Sequence, residues 1–422
     1  MADDIRLIDI IDEFISGDWG EETATAESPC AVSCVRGADI VPISNSRYEN
    51  IPVRYISSSS LKNRRLSEGD IIIEKSGGSP TQSTGRTVFV SKKLVEAKKD
   101  IVCSNFCQAF RIKQGWNPLY VYYYLQVVYN SGVFFNFEGK TSGLKNLILD
   151  SAFQSITIKK VPLQEQDRVA NMLSLIDEKI AANHAINDYL AAMARQLYDY
   201  WFRQFDFPND DGKPYKSSGG KMVWNETVKR EIPAIWEVVS VFDGANVVYG
   251  FPFSTDFFVE SPTNKPVVRI RDILNGSVSA YTTEAIDEKY QLHKGDVVIG
   301  MDGNFHMNIW HDNYAYLNQR CVRLRPKTNT TISSIQLLLD AAPYIESRQK
   351  TIKGSTVGHL SDKDIKNLHI LVARKNRFFD PKSVFDSLSD EISKNRLEIS
   401  ELTRHRHDLQ PLLMSGQVSL GR

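Results

Sequence analysis

Between residues 173 and 201 the chain keeps one hydrophobic spacing, in which seam positions follow each other alternately three and four residues apart. The seam positions are Leu173, Ile176, Ile180, Asn183, Asn187, Leu190, Ala194, Leu197 and Trp201. This spacing is typical of a coiled coil, because a helix that lies on a globular core shows a broader apolar stripe. The preceding Pro162 suits the first turn of a helix. The pattern therefore predicts a long helix that begins near Pro162 and pairs with another helix.

A second segment, residues 385–413, repeats the spacing. Its seam positions are Phe385, Leu388, Ile392, Asn395, Ile399, Leu402, Arg406, Leu409 and Leu413, each 212 residues after its counterpart. Asp380-Pro381 precedes this segment much as Val161-Pro162 precedes the first. Two single helices of this kind in one chain most simply pair with each other, and the order of the elements favours an antiparallel pair.

Three asparagines, Asn183, Asn187 and Asn395, occupy seam positions where leucine would be more stable. A buried amide in a seam lowers stability but favours one register and one partner. Alternatively, these amides lie at frayed or rim positions of the seam. The spacing does not determine the register, so Asn183 and Asn395 need not face each other.

The repeat extends upstream of both helices, which predicts two related domains. The matching segments are Gly69-Asp70-Ile71-Ile72-Ile73 with Gly295-Asp296-Val297-Val298-Ile299, Val35-Arg36 and Asp39-Ile40 with Ile270-Arg271 and Asp272-Ile273, "FRIK" (110–113) with "VRLR" (322–325), Gly139–Gly143 with Gly354–Gly358, and Ile156–Ile158 with Leu368–Ile370.

The segments between these matches predict β-rich domains. Short β-branched runs such as "DIIIE" and "DVVIG" follow glycine and predict strands, while 117–129 and 333–344 predict shorter helices. We expect an α+β protein with two β-rich globular domains separated by a pair of long antiparallel coiled-coil helices, related by an internal pseudo-twofold repeat. The expected divisions are a first domain at 1–160, a central helix at 161–205, a second domain at 206–375 and a C-terminal helix at 376–422.

Composition and charge add little to this picture. Apolar content is 42% and charged content is 24%, as in a folded soluble protein. Neither a run of about 18 apolar residues nor a signal peptide is visible, so we expect a cytoplasmic protein. The net charge is zero, but residues 1–30 carry −8 and residues 31–160 carry +9. That asymmetry fits an anionic partner for the first domain, and it equally fits ordinary scatter of surface charge.

The chain displays few residues with a metal-binding or catalytic pattern. Cys30/Cys34 and Cys103/Cys107 could together hold zinc, although small apolar residues on strands explain the same spacing. His306 and His311 have no third ligand spaced nearby, and we predict no metal site. An ATP-binding G-x-x-x-x-G-K-[ST] loop and a Gly-x-Ser-x-Gly elbow are both absent from the sequence.

Asn117-Pro118-Leu119-Tyr120 resembles the Asn-Pro-Pro-Tyr motif of amino-methyltransferases. The second proline is missing, and no Gly-rich cofactor loop accompanies it. The motif therefore predicts the start of a helix rather than a catalytic site.

Three segments resemble the specificity (S) subunit of type I restriction–modification enzymes. Residues 162–206, beginning "PLQEQDRVANMLSLIDEKI", resemble the central conserved region of that family; "KGDVVIGMDGNFHMNIWHDNYAYLNQRCVRL" (294–324) resembles the core of a target recognition domain; and "GSTVGHLSDKDIKNLHI" (354–370) resembles the segment that closes such a domain. The first domain departs from the pattern, because "EKSGGSPTQSTGR" (74–86) replaces "GMDGNFHMNIW".

The resemblance implies a non-catalytic, sequence-specific DNA-binding subunit of a type I restriction–modification complex. Each target recognition domain would read one half of an asymmetric bipartite site on double-stranded DNA. The helices would set the spacing and dock two methyltransferase (M) subunits, which restriction/translocase (R) subunits then join. S-adenosylmethionine, ATP and magnesium would bind to those partners, which would supply the DNA adenine methyltransferase and nuclease activities.

DNA contacts require amides, guanidiniums, ammonium groups and hydroxyls in exposed loops. In the first domain the candidates are Lys62, Asn63, Arg64, Arg65, Lys75, Ser79, Gln82, Thr84, Arg86, Lys140, Thr141 and Lys145. In the second they are Tyr249, Asp302, Asn304, His306, Asn308, Arg320, Lys353, Ser355 and Thr356. The alternative for each candidate is a solvated loop residue or a structural glycine-containing turn. The residues expected to pair the helices are Ile176, Ile180, Asn183, Asn187, Leu190, Leu388, Ile392, Asn395, Ile399 and Leu402.

A second hypothesis fits the same helices. The chain would be a coiled-coil assembly protein whose β-rich domains bind proteins without sequence-specific DNA contact. The distribution of basic and amide residues in the domain loops separates the two hypotheses, as does the presence or absence of a bipartite consensus among methylated sites.

Overall fold

In a computed structural model of the protein, the structure describes residues 4–77, 82–141, 144–312, 314–351 and 358–418. Its contacts divide the chain into two compact units. Unit 1 comprises Met1–Ala182 and Ile399–Arg422, and unit 2 comprises Asn183–Glu398. Each unit therefore contains a globular domain together with a part of each long helix.

The helices and strands agree with the α+β class expected from the sequence. The helices are α1 (Ile40–Ser44), α2 (Ser58–Arg64), α3 (Lys92–Ala97), α4 (Pro118–Asn130), α5 (Leu149–Ser155), α6 (Leu163–Tyr198), α7 (Val241–Gly244), α8 (Ile270–Ile273), α9 (Ser334–Thr351), α10 (Asp362–Lys366) and α11 (Pro381–Met414). The strands of unit 1 are β1 (Asp4–Arg6), β2 (Ile11–Ser16), β3 (Cys30–Val35), β4 (Val53–Ile56), β5 (Ile71–Glu74), β6 (Ser76–Gly77), β7 (Thr87–Phe89), β8 (Ile101–Cys103), β9 (Cys107–Ile112), β10 (Glu138–Thr141), β11 (Leu144–Leu147) and β12 (Thr157–Lys159). The strands of unit 2 are β13 (Met222–Asn225), β14 (Arg230–Pro233), β15 (Glu237–Ser240), β16 (Ala245–Tyr249), β17 (Phe258–Val259), β18 (Lys265–Val268), β19 (Tyr281–Thr282), β20 (Val297–Gly300), β21 (Met307–Ile309), β22 (Tyr316–Leu317), β23 (Cys321–Pro326) and β24 (His369–Val372).

The two long helices, α6 and α11, contact each other in each unit, which confirms the predicted pairing. In unit 1, Arg406 of α11 pairs with Asp177 of α6. In unit 2, Asn183 Nδ2 donates to Glu398 Oε2 at 2.8 Å. A further bond in unit 2, from Asn395 Nδ2 to Asn187 Oδ1 at 3.0 Å, shows that the pair is antiparallel, because residue numbers fall along α11 as they rise along α6.

The globular parts of the two units share one sheet topology. The largest sheet of unit 1 has the order β2-β9-β5-β7, and its counterpart in unit 2 has the order β16-β23-β20-β21. In unit 1, Ile72 pairs with both Val88 and Ala109. In unit 2, Val298 pairs in the same way with Asn308 and Arg323. The duplication expected from the sequence is therefore present in the register of the strands.

The same buried ion pair recurs in both sheets. Asp70, which is 1% exposed, accepts hydrogen bonds from Arg111 Nε and Nη2, both at 2.9 Å. Asp296, which is 0% exposed, accepts from Arg325 Nε at 2.6 Å and from Nη2 at 2.8 Å. Such bidentate pairs need a fixed geometry. The strand register makes Arg111 equivalent to Arg325, so the match of "FRIK" with "VRLR", which places Arg111 opposite Arg323, is wrong by two residues.

A second proposed sequence match also requires a correction. Arg36 and Asp39 form a capping box at the start of a short helical turn. The equivalent box in unit 2 joins Asp272 to Arg269, not to Arg271. The sequence offers two arginines at neighbouring positions, and only Arg269 occupies the N-cap site from which its side chain and backbone both reach the aspartate.

Candidate nucleic-acid interface

Backbone hydrogen bonds bring separate loops of unit 2 together at one end of the sheet β16-β23-β20-β21. The Met301 N–H donates to the Arg320 carbonyl at 2.9 Å, and the Leu360 N–H donates to the Met301 carbonyl at 2.7 Å. The Gly303 N–H donates to the Gly358 carbonyl at 2.8 Å. The loop after β20, the turn before β23 and the segment before α10 therefore form one continuous surface.

The Asp302 carboxylate connects two side chains of this surface. Arg320 Nη1 lies 3.0 Å from Asp302 Oδ2, and His359 Nδ1 lies 2.5 Å from Asp302 Oδ1. The Arg320 side chain is nevertheless 58% exposed. A guanidinium held at one edge by a carboxylate has fewer rotamers available, while its remaining surface faces the solvent.

Other predicted residues of unit 2 form hydrogen bonds within the domain. The Tyr249 hydroxyl donates to Asp362 Oδ1 at 2.6 Å, and burial together with this bond raises the pKa of Tyr249. Asn308 Nδ2 donates to the Ile273 carbonyl at 2.9 Å, where α8 ends. Asn304 is exposed on the loop surface, and His306 beside it is half-buried.

Unit 1 builds the equivalent surface from its own loops. The Lys75 N–H donates to the Phe106 carbonyl at 2.8 Å, and the Leu147 N–H donates to the Lys75 carbonyl at 2.7 Å. The Ser76 hydroxyl donates to Asn146 Oδ1. The glycine-containing segment that begins at Gly139 forms β10 of a hairpin whose second strand, β11, pairs with β6.

Three predicted contact residues of unit 1 are held by two carboxylates. Glu138 Oε1 accepts from the Thr84 N–H at 2.7 Å, and Lys145 Nζ lies 3.1 Å from Glu138 Oε2. Arg86 Nε donates to Glu74 Oε2 at 2.8 Å, and this pairing raises the pKa of Arg86. Because the Glu74 side chain is only 4% exposed, Arg86 neutralises a buried charge and supports the loop from inside.

The remaining predicted residues of unit 1 differ in exposure. Lys62 and Asn63 are exposed on α2, and Gln82 is exposed after β6. Two arginines that follow Asn63 form ion pairs: Arg64 with Asp18 at 3.0 Å and Arg65 with Asp100 at 3.1 Å. Ser79, Lys353, Ser355 and Thr356 lie outside the described residues, as do the side chains of Lys140 and Thr141. Contact of any of these residues with DNA stays a prediction.

The cysteines behave as small core residues. Burial raises the pKa of Cys34 to about 12 and that of Cys107 to about 11, so both are thiols at neutral pH. Within the described ranges, no group of three or more His, Cys, Asp or Glu side chains is placed to hold a metal ion. A search of the same ranges finds no helix with the length and apolar character needed to cross a membrane.

A second candidate surface lies on α6 within unit 2. Ile186, Tyr189 and Met193 are exposed by 44%, 75% and 49%, and they recur at helical spacing on a face separate from the seam. Exposed apolar side chains grouped in this way mark interaction surfaces more often than isolated ones do.

Comparison with known proteins identifies the family. The family model described as type I restriction modification DNA specificity domain matches residues 40–192 and 233–376, more than half of the chain. The chain belongs to this family. Its two matched segments are DNA specificity domains: the first contains β5, β7 and β9 of the unit 1 sheet, and the second contains β16, β20, β21 and β23 of the unit 2 sheet.

Individual specificity subunits show the same relationship. The chain is 31% identical over 133 residues to the type I restriction enzyme EcoBI specificity subunit of Escherichia coli, a match that covers 31% of this chain and 28% of that protein. It is 24% identical over 310 residues to the MjaIX specificity subunit of Methanocaldococcus jannaschii, covering 68% of each. The chain thus matches less than a third of the length of the first relative and about two thirds of the second.

The fold is also that of a solved specificity subunit. The crystal structure of the type I restriction-modification system S subunit from M. genitalium superposes with a TM-score of 0.54 at 14% identity, covering 98% of this chain and 96% of that one. This likeness confirms the expected fold of two globular domains and two long helices.

The specificity-domain loops contain exposed residues that the sequence patterns did not single out. Asn105 and Phe106 are exposed immediately before β9, and Gln319 is exposed beside Arg320 immediately before β23. The recurrence of a cysteine directly after each pair, at Cys107 and Cys321, is the signal that could have located them.

Proposed function

We propose that this chain is the sequence-specific DNA-binding subunit of a type I restriction–modification complex, and that each unit reads one half of an asymmetric bipartite site. The supporting observation is the duplicated loop surface, which the two units build from equivalent backbone bonds but cover with different side chains. Recognition of two unlike half-sites requires such a scaffold, because backbone geometry positions a reader and side chains distinguish the bases.

The long helices, in this proposal, set the spacing of the half-sites and dock two methyltransferase subunits. Helix α6 has 36 residues, which corresponds to about 54 Å at 1.5 Å per residue. One turn of DNA measures roughly 34–36 Å, so a helix of this length is sufficient for half-sites one turn apart. The stripe formed by Ile186, Tyr189 and Met193 is suited to a protein partner, since tyrosine and methionine are enriched at interfaces.

The chemistry belongs to partner subunits, and this chain is a non-catalytic recognition subunit that acts in the cytoplasm. The methyltransferase subunits would bind S-adenosylmethionine and methylate adenine, while restriction subunits would use ATP and magnesium for translocation and cleavage. The hydrogen bonds of Asn117 support the assignment of catalysis to partner subunits. Its Oδ1 accepts from the Leu119 and Tyr120 N–H groups as the cap of α4, and its Nδ2 donates to Asp167 at 2.7 Å, so the side chain is already engaged.

A methylation map tests the proposal. The chain is co-expressed with the methyltransferase encoded beside it, and methylated adenines are located by sequencing the host DNA. We expect one bipartite motif with two unlike halves and a constant gap, and no methylation from the methyltransferase alone. Methylation by the pair without any bipartite consensus would contradict the proposal and favour a protein-assembly scaffold.

A further inference from the structure

The same β-turn appears in both units at the centre of the loop surface. In unit 1 the Cys107 N–H donates to the Ser104 carbonyl at 2.9 Å, and in unit 2 the Cys321 N–H donates to the Asn318 carbonyl at 2.9 Å. Each bond closes a four-residue turn. The central residues are Asn105 and Phe106 in unit 1, and their counterparts are Gln319 and Arg320 in unit 2.

Both turns are held rigidly by equivalent contacts. A Cβ atom added to Gly17 would lie 2.0 Å from the Ser104 carbonyl oxygen, and one added to Gly250 would lie 1.9 Å from the Asn318 carbonyl oxygen. Only glycine permits this close approach of two backbone segments. The Ser104 N–H also donates to the Val35 carbonyl at 2.9 Å. A turn fixed on both sides presents its central side chains in a defined direction.

The central side chains are exposed and differ between the units. Asn105 and Gln319 place a carboxamide at the first central position. At the second position Phe106 is 56% exposed and the Arg320 side chain is 58% exposed. Exposure of the Phe106 ring to water does not stabilise the fold. An apolar ring in one unit and a guanidinium at the equivalent position of the other would each favour a different base pair.

The residue two positions after β5 or β20, which lies beside the turn, also differs between the units, and its charge is complementary to that of the turn residue. In unit 2 the loop after β20 supplies Asp302, whose carboxylate holds Arg320 at 3.0 Å. In unit 1 the residue at the same place after β5 is Ser76, which donates to Asn146. The unit with the cationic turn residue therefore has an acidic neighbour that positions it, and the unit with the phenylalanine has a neutral one.

We propose that this turn is the base-reading element of each DNA specificity domain. Arg320, positioned by Asp302, contacts the O6 and N7 atoms of a guanine in one half-site, and Phe106 contacts the methyl group of a thymine in the other. The carboxamides of Asn105 and Gln319, from the same turns, contact the neighbouring bases. This inference rests on the proposed function, to which it adds the residues and the bases that they select.

Substitution at the turn tests the inference in the complete complex with the methyltransferase. Arg320→Ala should remove the selection of guanine at one position of one half-site, a loss of about 5- to 150-fold in discrimination. Phe106→Ala should relax one thymine in the other half-site. Arg320→Gln should shift the preference at its position from guanine to adenine, a change that misfolding cannot produce. Asp302→Asn should weaken the selection of guanine although Arg320 is retained.

Base analogues provide an independent readout. Replacing the guanine by 7-deazaguanine should weaken binding of the wild-type complex but not of Arg320→Ala. Replacing the thymine by uracil should act in the same way on the wild type and not on Phe106→Ala. The matched control is Arg374→Ala, which removes an exposed arginine outside the turn and should leave every base preference intact.

Different results would overturn the proposed function and this inference. A wild-type complex without a bipartite motif overturns the proposed function and this inference with it. A wild-type motif that every turn variant retains in full overturns the inference alone. The same holds if the variants lower methylation equally at all sites, because uniform loss indicates contact with the DNA backbone and not with bases.

Discussion

At the scale of single residues, a tyrosine–aspartate hydrogen bond attaches α6 to the domain of each unit, with the roles reversed. In unit 1 Tyr123 of α4 donates to Asp177 of α6 at 2.8 Å. In unit 2 Tyr198 of α6 donates to Asp340 of α9 at 2.5 Å. Arg406 pairs with Asp177 in unit 1. Burial raises the pKa of Asp340 to about 6, although the Tyr198 hydrogen bond acts in the opposite direction.

The raised pKa of Asp340 predicts a pH dependence of stability. The folded protein binds the proton more tightly than the unfolded chain, whose aspartate pKa is about 3.9. The contribution of this group is therefore fully present below pH about 4 and is lost as the pH rises through about 6. Relative to Asp340→Asn, the free energy of unfolding of the wild type should fall by roughly 2 kcal/mol between pH 4 and pH 7.

Urea unfolding at several pH values, followed by tryptophan fluorescence, measures this difference. Tyr198→Phe is a useful control, because loss of the hydrogen bond should raise the pKa of Asp340 further and move the transition to higher pH. A difference between wild type and Asp340→Asn that is the same at every pH would contradict the prediction.

At the scale of elements, helix pairing and the proposed docking of a partner fall on different faces of α6. The seam face is closed within each unit, and in unit 2 Asn395 Nδ2 donates to Asn187 Oδ1 at 3.0 Å. A paired amide tolerates only one register, which accounts for its presence where leucine would add stability. The face with Ile186 and Tyr189 lies outside this seam and is exposed.

The separation of faces predicts that partner binding can be lost without loss of helix pairing. Tyr189→Lys combined with Ile186→Lys should weaken binding of the methyltransferase by at least about tenfold, because large exposed side chains of this kind act as interface hot spots. Isothermal titration calorimetry measures the affinity, and circular dichroism monitors the helices. Ala191→Lys, at an exposed position on a different face of α6 from the stripe, is the matched control. Unchanged affinity in the double variant would place the docking surface elsewhere.

At the scale of the whole molecule, the chain is a duplication whose two units keep the same supports and vary the exposed residues. The repeated supports are the Asp–Arg pairs, the capping boxes and the glycine that packs on each turn. Identical supports hold equivalent loops, so the units differ in what they present and not in how they present it. Under the proposed function, this arrangement lets one chain read two unlike half-sites.

The duplication predicts that exchanging one domain changes the half-site that this domain reads and leaves the other half-site unchanged. Replacing residues 1–160 by the first domain of another family member should change only one half of the methylated motif and leave the gap unchanged. The junction after β12 keeps β1 and β12 together in the exchanged piece. The imported domain must accept Gln410 of α11, whose Nε2 donates to the Tyr123 carbonyl at 2.8 Å.

Sequencing of methylated DNA gives the result of this exchange. The reciprocal exchange of residues 206–375 is its control and should change only the other half of the motif. If either exchange altered both halves, independent reading by the two units would be wrong.

The sequence by itself determined the elements that depend on local or periodic patterns. Spacing of three and four residues is a property of the helix surface, so α6 and α11 and their pairing were predictable. The two Gly-Asp turns were also matched from sequence, but the arginines that pair with their aspartates were not, because the "FRIK" and "VRLR" match places Arg111 opposite Arg323 and not Arg325. The family resemblance rests on the same repeated segments. These features need no knowledge of which distant loops meet.

Only the tertiary structure decided which exposed groups lie together on one loop surface. Strand register between residues far apart in sequence brings Asp302 to Arg320 and places Phe106 beside Lys75. It also turns Arg86 inward to Glu74, although its sequence context resembles that of an exposed loop arginine. The register of the helix seam was likewise decided by tertiary contacts, since a repeating pattern permits several registers and the Asn187–Asn395 hydrogen bond selects one.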